Sequence, residues 1–124
     1  MISLYSTWWI KPENEKKIEP VLQQLAQEVK ENEKGTLMYL VHKPLYDYPT
    51  PKAGEKQIQS EPAVRPGTLV FVEKYESWQA FEDHLYGPYF TKFVAEYKDL
   101  FVPNNDGNPF VQVVFMEEIT GFIK

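Results

Sequence analysis

The stretch Thr68–Phe101, TLVFVEKYESWQAFEDHLYGPYFTKFVAEYKDLF, decides the fold, because within it a strand runs into a helix, breaks at Gly87-Pro88 and restarts as a second helix. Thr68 to Tyr75 is rich in β-branched and aromatic residues. Alternation puts Leu69, Phe71, Glu73 and Tyr75 on one face and Val70, Val72 and Lys74 on the other. Ser77 offers a hydroxyl to cap the helix that carries Trp78, Phe81 and Leu85 at helical spacing. Gly87 permits the break, and Pro88 suits the first turn of the next helix. From there Tyr89, Phe90, Phe93, Val94, Tyr97, Leu100 and Phe101 form one apolar stripe, aromatic rather than aliphatic.

Working outward, Ile2 to Ile10 reads as a first strand with Ile2, Leu4, Trp8 and Ile10 on one face and Tyr5 and Trp9 on the other. Ile18, Val21, Leu22, Leu25, Ala26 and Val29 then follow the spacing of an amphipathic helix, with Gly35 as its stop. Pro20 inside that segment removes a backbone hydrogen bond at a cost of roughly 3 kcal/mol, so the regular helix is expected either to start near Ile18 or to bend. Thr36 to Lys43 is a second strand, apolar on both faces, and Phe110 to Ile119 is a last one after the turn cluster Pro103 to Pro109. Between the second and third strands, Pro44 to Gly67 holds five of the ten prolines together with Tyr46 and Tyr48. A segment of that length is a lid, an arm to a partner or a disordered loop, and its tyrosines favour docking.

The order is β-α-β-β-α-β, the split-βαβ pattern of an α+β fold with a four-stranded antiparallel sheet and helices on one face. Every strand carries large apolar groups on both sides. A sheet covered on one side only would leave an apolar face in water, and a second copy of the chain is the simplest cover.

With 43% hydrophobic residues and no low-complexity tract, residues 1–124 fit a single domain. A net charge of −5 without a basic stripe argues against nucleic-acid binding. The absence of cysteine removes disulfides, thiolate catalysis and thiolate metal sites, and fits a reducing compartment. Met1 to Ile10 has no basic leader and is too short and polar to span a membrane, so a cytoplasmic location is expected.

The segment Glu73 to Tyr97 resembles the signature region of the antibiotic biosynthesis monooxygenase family: a strand ending Glu73-x-Tyr75, a short helix ending His84-Leu85, a small-residue break, and a helix opening with the aromatic pair Tyr89-Phe90. The turn Lys11-Pro12-Glu13 and the Lys34-Gly35 entry into the second strand are similar to that family too. The resemblance implies a ferredoxin-like protomer that pairs sheet to sheet into a dimeric α/β barrel. It also implies a pocket between sheet and helices, and oxygenation of a quinol or polyphenolic compound, in some members without flavin, haem or metal. Haem-degrading relatives carry a ligand histidine at the position of Val94 and an asparagine near Ser6; both are missing here. The loop 44–67 is longer than the usual family turn.

Cofactor-free oxygenation requires a base, stabilisation of a phenolate, and exclusion of water. The chain has two histidines. His84, at the His-Leu position, is the catalytic candidate; its alternative is a structural histidine whose ring bonds the backbone at the helix break. His42 lies at a strand end on the face of Met38 and Leu40, either at a site's rim or acting as a base. Tyr39 and Tyr75 could hydrogen-bond a quinol oxygen, and Trp8 or Trp9 could stack on a flat ring. Glu73, on an otherwise apolar strand face, is either paired with a lysine or Arg65 or poised with a raised pKa. Trp8, Tyr39, His42, Glu73, Tyr75 and Phe90 are thus the candidate substrate-binding residues. No metal site is expected, since no HxH or HxxxH spacing occurs, and no glycine-rich loop is present to cradle a phosphate. The alternative function is a non-catalytic dimeric module binding a small aromatic ligand.

Overall fold

The computed structural model describes residues 1–45 and 65–124; Tyr46, Tyr48 and most of the loop expected over 44–67 lie outside the described residues. The elements are β1 (Ile2–Trp9), α1 (Glu15–Asn32), β2 (Thr36–His42), β3 (Thr68–Tyr75), α2 (Trp78–Leu85), α3 (Pro88–Tyr97) and β4 (Val111–Met116), with single 3-10 turns at Pro12–Asn14 and Lys98–Leu100. The four strands form one antiparallel sheet in the order β2-β3-β1-β4, as the split-βαβ pattern requires.

The inner face of the sheet and the buried stripe of α1, made of Ile18, Leu22, Leu25 and Val29, enclose the core with Trp8, Ile10, Leu69, Phe71, Phe93 and Phe101. Aromatic side chains from α3 and the turn after it fill the centre: the Trp8 ring lies 5.4 Å from Phe71 and from Phe101, and 6.0 Å from Phe90. These tilted and edge-on contacts suit rings with a negative face and a positive edge.

The outer face is built differently. Registered pairing aligns Leu40, Val72, Tyr5 and Val114 in one row across all four strands. Leu40 is 46% exposed, Tyr5 38% and Val114 41%, so an apolar band crosses the sheet without a covering layer among the described residues.

Three expectations are modified. The regular helix α1 begins at Glu15, not Ile18, and runs through Pro20. Pro20 and Lys16 both lie on the exposed side, where water can hydrate the carbonyl that Pro20 leaves without its donor. Strand β4 ends at Met116, well before Ile119, because Ser3↔Met116 is the last pair that β1 provides and a strand at the sheet edge has no second neighbour. Gly35 does not act as a left-handed helix stop; α1 closes at Glu33 in an extended conformation (φ −115°, ψ 91°). What requires glycine there is proximity. A Cβ on Gly35 would lie 2.5 Å from Ala80 Cβ, and the Gly35 carbonyl accepts the Glu76 amide at 2.8 Å. The turn after α1 is thereby pressed against α2. Gly67 is a different case: its φ of 85° is left-handed, and a Cβ would collide with the Ile10 carbonyl.

Gly35→Ala is therefore expected to cost about 1–3 kcal/mol through overpacking, read as a shift in the urea midpoint. Adding Ala80→Gly should recover part of that loss. Two independent, additive losses would show that Gly35 and Ala80 are not in contact.

Candidate active site

Sheet register sets the lining of a cavity on the inner face. One row there reads Tyr39, Glu73, Leu4, Phe115 and the next Val41, Phe71, Ser6, Val113. Ser6 is the small residue among large ones, and space opens above it. The resulting cavity, about 180 Å³, is walled by Leu4, Trp8, Phe71, Phe81, Leu85, Phe90, Val111 and Val113, with Ser6, Tyr39, Glu73 and His84 as its polar members. Trp8 Nε1 donates to Ser6 Oγ at 2.9 Å, which satisfies the buried indole and fixes the ring as a wall.

A line of polar groups crosses one end of the cavity. Glu73, on the inner face of β3, is 6% exposed. Its Oε1 accepts the hydroxyl of Tyr75, two residues along the same strand, and lies 4.0 Å from His84 Nε2. His84 is 3% exposed. It projects from the last turn of α2, whose start is capped by Ser77 Oγ accepting the Ala80 amide at 3.1 Å. Rings of Tyr39, Tyr75 and Phe90 surround the imidazole at centroid distances of 5.2, 5.7 and 5.1 Å. Its Nδ1 meets Glu33 Oε1 at 2.7 Å. A carboxylate oxygen accepts, so Nδ1 carries the hydrogen, and in the neutral ring Nε2 is left as an acceptor facing the cavity, beyond hydrogen-bond distance of Glu73.

Burial pushes the Glu73 carboxyl above its ordinary range, and the Glu33 carboxylate pushes the same way; the Tyr75 hydrogen bond and His84 partly oppose them. Tyr39 and Tyr75 are both raised, first by burial and then by the Glu73 charge. Both phenols therefore keep their protons and act as donors. The Tyr75 hydroxyl is engaged by Glu73, whereas the Tyr39 hydroxyl has no hydrogen-bond partner among the described residues.

Of the residues expected at a site, Trp8, Tyr39, Glu73, His84 and Phe90 line this cavity. Tyr75 stands behind it, fully buried, as the partner of Glu73. His42 does not join them: it is exposed and borders a separate cleft of about 340 Å³ with Glu19, Leu22 and Lys43. Trp9 faces outward against Phe110, with the Arg65 guanidinium 5.1 Å above its ring. Arg65 thus stacks on Trp9 in place of the ion pair considered for Glu73. The imidazole of His84 bonds a side chain, Glu33, in place of the backbone. Two further residues of the site, Glu33 and Ser6, carry weaker signals in the sequence. Glu33 lies within the run Lys30-Glu31-Asn32-Glu33-Lys34, which reads as a solvated helix end, and its contact with His84 spans 51 positions; Ser6 carries a signal, a small residue at an inner position flanked by Leu4 and Trp8. Among the described residues no group of three or more His, Asp and Glu side chains is gathered to hold a metal ion, and no helix is long and apolar enough to cross a membrane.

The raised carboxyl has a consequence for stability. The folded chain holds the Glu73 proton to higher pH than the unfolded chain does, so stability falls as pH rises from the ordinary glutamate range through the folded value and stays lower above it. Glu73→Gln keeps an acceptor for Tyr75 and removes the titration. Its melting temperature should exceed that of the wild type at neutral pH, with the difference shrinking as pH falls to the ordinary glutamate range. A difference independent of pH would show that Glu73 does not titrate with folding.

The sequence model of the family described as antibiotic biosynthesis monooxygenase matches residues 1–96. No curated protein sequence matches the chain. Among solved structures, one described as an antibiotic biosynthesis monooxygenase is 20% identical with a TM-score of 0.69, covering 97% of this chain and 100% of that one. A Deinococcus radiodurans protein described as a putative antibiotic biosynthesis monooxygenase is 19% identical, TM-score 0.67, covering 100% and 98%. One from Caulobacter crescentus is 21% identical, TM-score 0.67, covering 96% and 90%. At these identities the structural likeness speaks for the fold, and the match over residues 1–96 speaks for descent. The chain belongs to the antibiotic biosynthesis monooxygenase family.

Proposed function

We propose that the protein is a monooxygenase that oxidises a small phenol or quinol with dioxygen, without a bound cofactor. The observation that carries this reading is one apolar cavity holding both an acceptor nitrogen, His84 Nε2, and an unengaged donor, the Tyr39 hydroxyl. In this reading Tyr39 donates to the substrate oxygen while His84 Nε2 takes the phenolic proton. The phenolate, itself the reductant, adds dioxygen at a ring carbon. The C–H bond is replaced by C=O, one oxygen atom enters the product, and the other leaves as water, so that phenol plus dioxygen gives quinone plus water. The aromatic walls of Trp8, Phe71 and Phe90 exclude water and stack on a flat ring. An apolar cavity of roughly 150 Å³ holds one benzene. A cavity of about 180 Å³ therefore favours a substrate of one or two rings.

The working unit in this reading is a homodimer in which the band Leu40, Val72, Tyr5 and Val114 packs on its equivalent in a second copy. Exposed apolar area on that scale supports an interface.

Oxygen uptake with a panel of hydroquinones and naphthohydroquinones, in the presence of a chelator, should exceed the uncatalysed rate. His84→Asn should lower it by about 100-fold or more with the fold retained. A wild type that binds the panel without uptake would instead be a non-catalytic module for small aromatic ligands.

By sedimentation equilibrium, the wild type is expected as a dimer and Val72→Glu, which places a charge at the centre of the outer band, as a folded monomer. A wild-type monomer would remove the sheet-to-sheet interface.

A further inference from the structure

Glu33 sits where α1 hands over to β2, and its carboxylate is bonded unevenly. Oε1 accepts from His84 Nδ1 at 2.7 Å and from Thr36 Oγ1 at 3.2 Å. Oε2 is buried and has no partner among the described residues. A buried, unengaged carboxylate oxygen is costly, and such groups recur where protons move. On its far side Glu33 borders a surface cleft of about 530 Å³ with Asn32, Thr36, Asp83 and Tyr89, and this cleft is distinct from the cavity behind His84. The imidazole thus stands between two spaces, with one nitrogen toward each.

We propose that Glu33 is a positioning residue that fixes the tautomer of His84 and relays its proton to the cleft at the end of α1. The proposal rests on the oxygenase reading. When the substrate O–H breaks, a bond forms at His84 Nε2; the Nδ1–H bond then breaks and the proton passes to Glu33, which is in reach of water in the cleft. The same path returns a proton as the peroxide oxygen leaves as water, so the relay gains and loses none. Among the described residues, the other ionisable groups facing the imidazole are Glu73 and Tyr75 from β3 and Tyr39 from β2; α3 contributes the apolar Phe90. Glu73 lies on the Nε2 side at 4.0 Å and cannot perform this task, since it shares the cavity with the substrate.

The test is ¹⁵N NMR of the imidazole nitrogens in the intact protein, with only His42 as the other signal and His42→Gln to assign it. The wild type should show His84 protonated at Nδ1 while neutral. In Glu33→Gln, whose amide can either accept or donate, that preference should be lost. With an active phenol substrate, Glu33→Gln should lower kcat by about tenfold or more with KM unchanged, because Glu33 does not touch the substrate. His84 found protonated at Nε2 in the wild type would overturn the proposal without recourse to any variant. An unaltered tautomer in Glu33→Gln would overturn it as well. Absence of uptake with every phenol would sink the oxygenase reading and with it the relay, while the NMR result would still decide whether Glu33 sets the tautomer.

Discussion

A carboxylate on the inner face of β3, a strand central to the sheet, is the constraint on which the rest of the structure turns. Glu73 occupies a position that the alternation of β3 would give to a leucine or phenylalanine, and among the described residues it has no cation beside it except a potential one on His84. A buried charge without partners is strongly unfavourable, so the chain around it must supply them. Tyr75 provides a hydroxyl from the same strand face. His84 brings its imidazole from α2 to 4.0 Å from the carboxyl, and its other nitrogen is held by Glu33 from the end of α1. Three segments far apart in sequence are thereby tied into one polar line inside an aromatic core. Hydrophobic burial would allow α2 some latitude in its placement; the Glu33 to His84 hydrogen bond, together with the close approach of Gly35 to Ala80, leaves little.

The same chemistry explains why the cavity is where it is. Large aromatic side chains pack densely around Trp8 at one end of the inner face and around Tyr75 and Phe81 at the other. Between them Ser6 fills little volume, and its hydroxyl is occupied by the Trp8 indole. The space that results is apolar in its walls and polar on the side of Glu73 and His84. Such a division matches in shape and polarity the substrate proposed above, a flat apolar ring with an oxygen at one edge.

Strand and helix identities were legible in the sequence because their signals are local. Alternation over Thr68 to Tyr75 assigned the inner face of β3, Glu73 included, and the Trp8 side of β1 follows from the same rule. Once those faces point inward and α2 packs over them, Trp8, Tyr39, Glu73, His84 and Phe90 meet without further information. The parts that stayed hidden depend on distant partners. Glu33 looks like any solvated residue in Asn32-Glu33-Lys34 until α2 is docked against it. His42 shares β2 with Tyr39, but three positions along a strand reverse the face, so one lines the cavity and the other does not. The end of β4 was equally invisible, since it is set by where β1 stops pairing.

The two faces of the sheet place opposite demands on the same strands, and β4 shows how they are reconciled. Its inner residues Val113 and Phe115 are each 47% exposed, although they belong to the rows that line the cavity and the core. The helices cover β2, β3 and β1 and leave this edge open. Trp78 and Phe81 lean toward Phe115 at 5.3 and 5.4 Å and form a partial apolar rim there. Among the described residues the cavity is walled by helices and sheet and borders β4, where Val113 and Phe115 remain exposed. A larger side chain at Ser6 would fill the cavity floor and displace the indole that Ser6 holds. A cavity and a well-packed sheet therefore compete for the same residue, and in this chain the cavity has taken it.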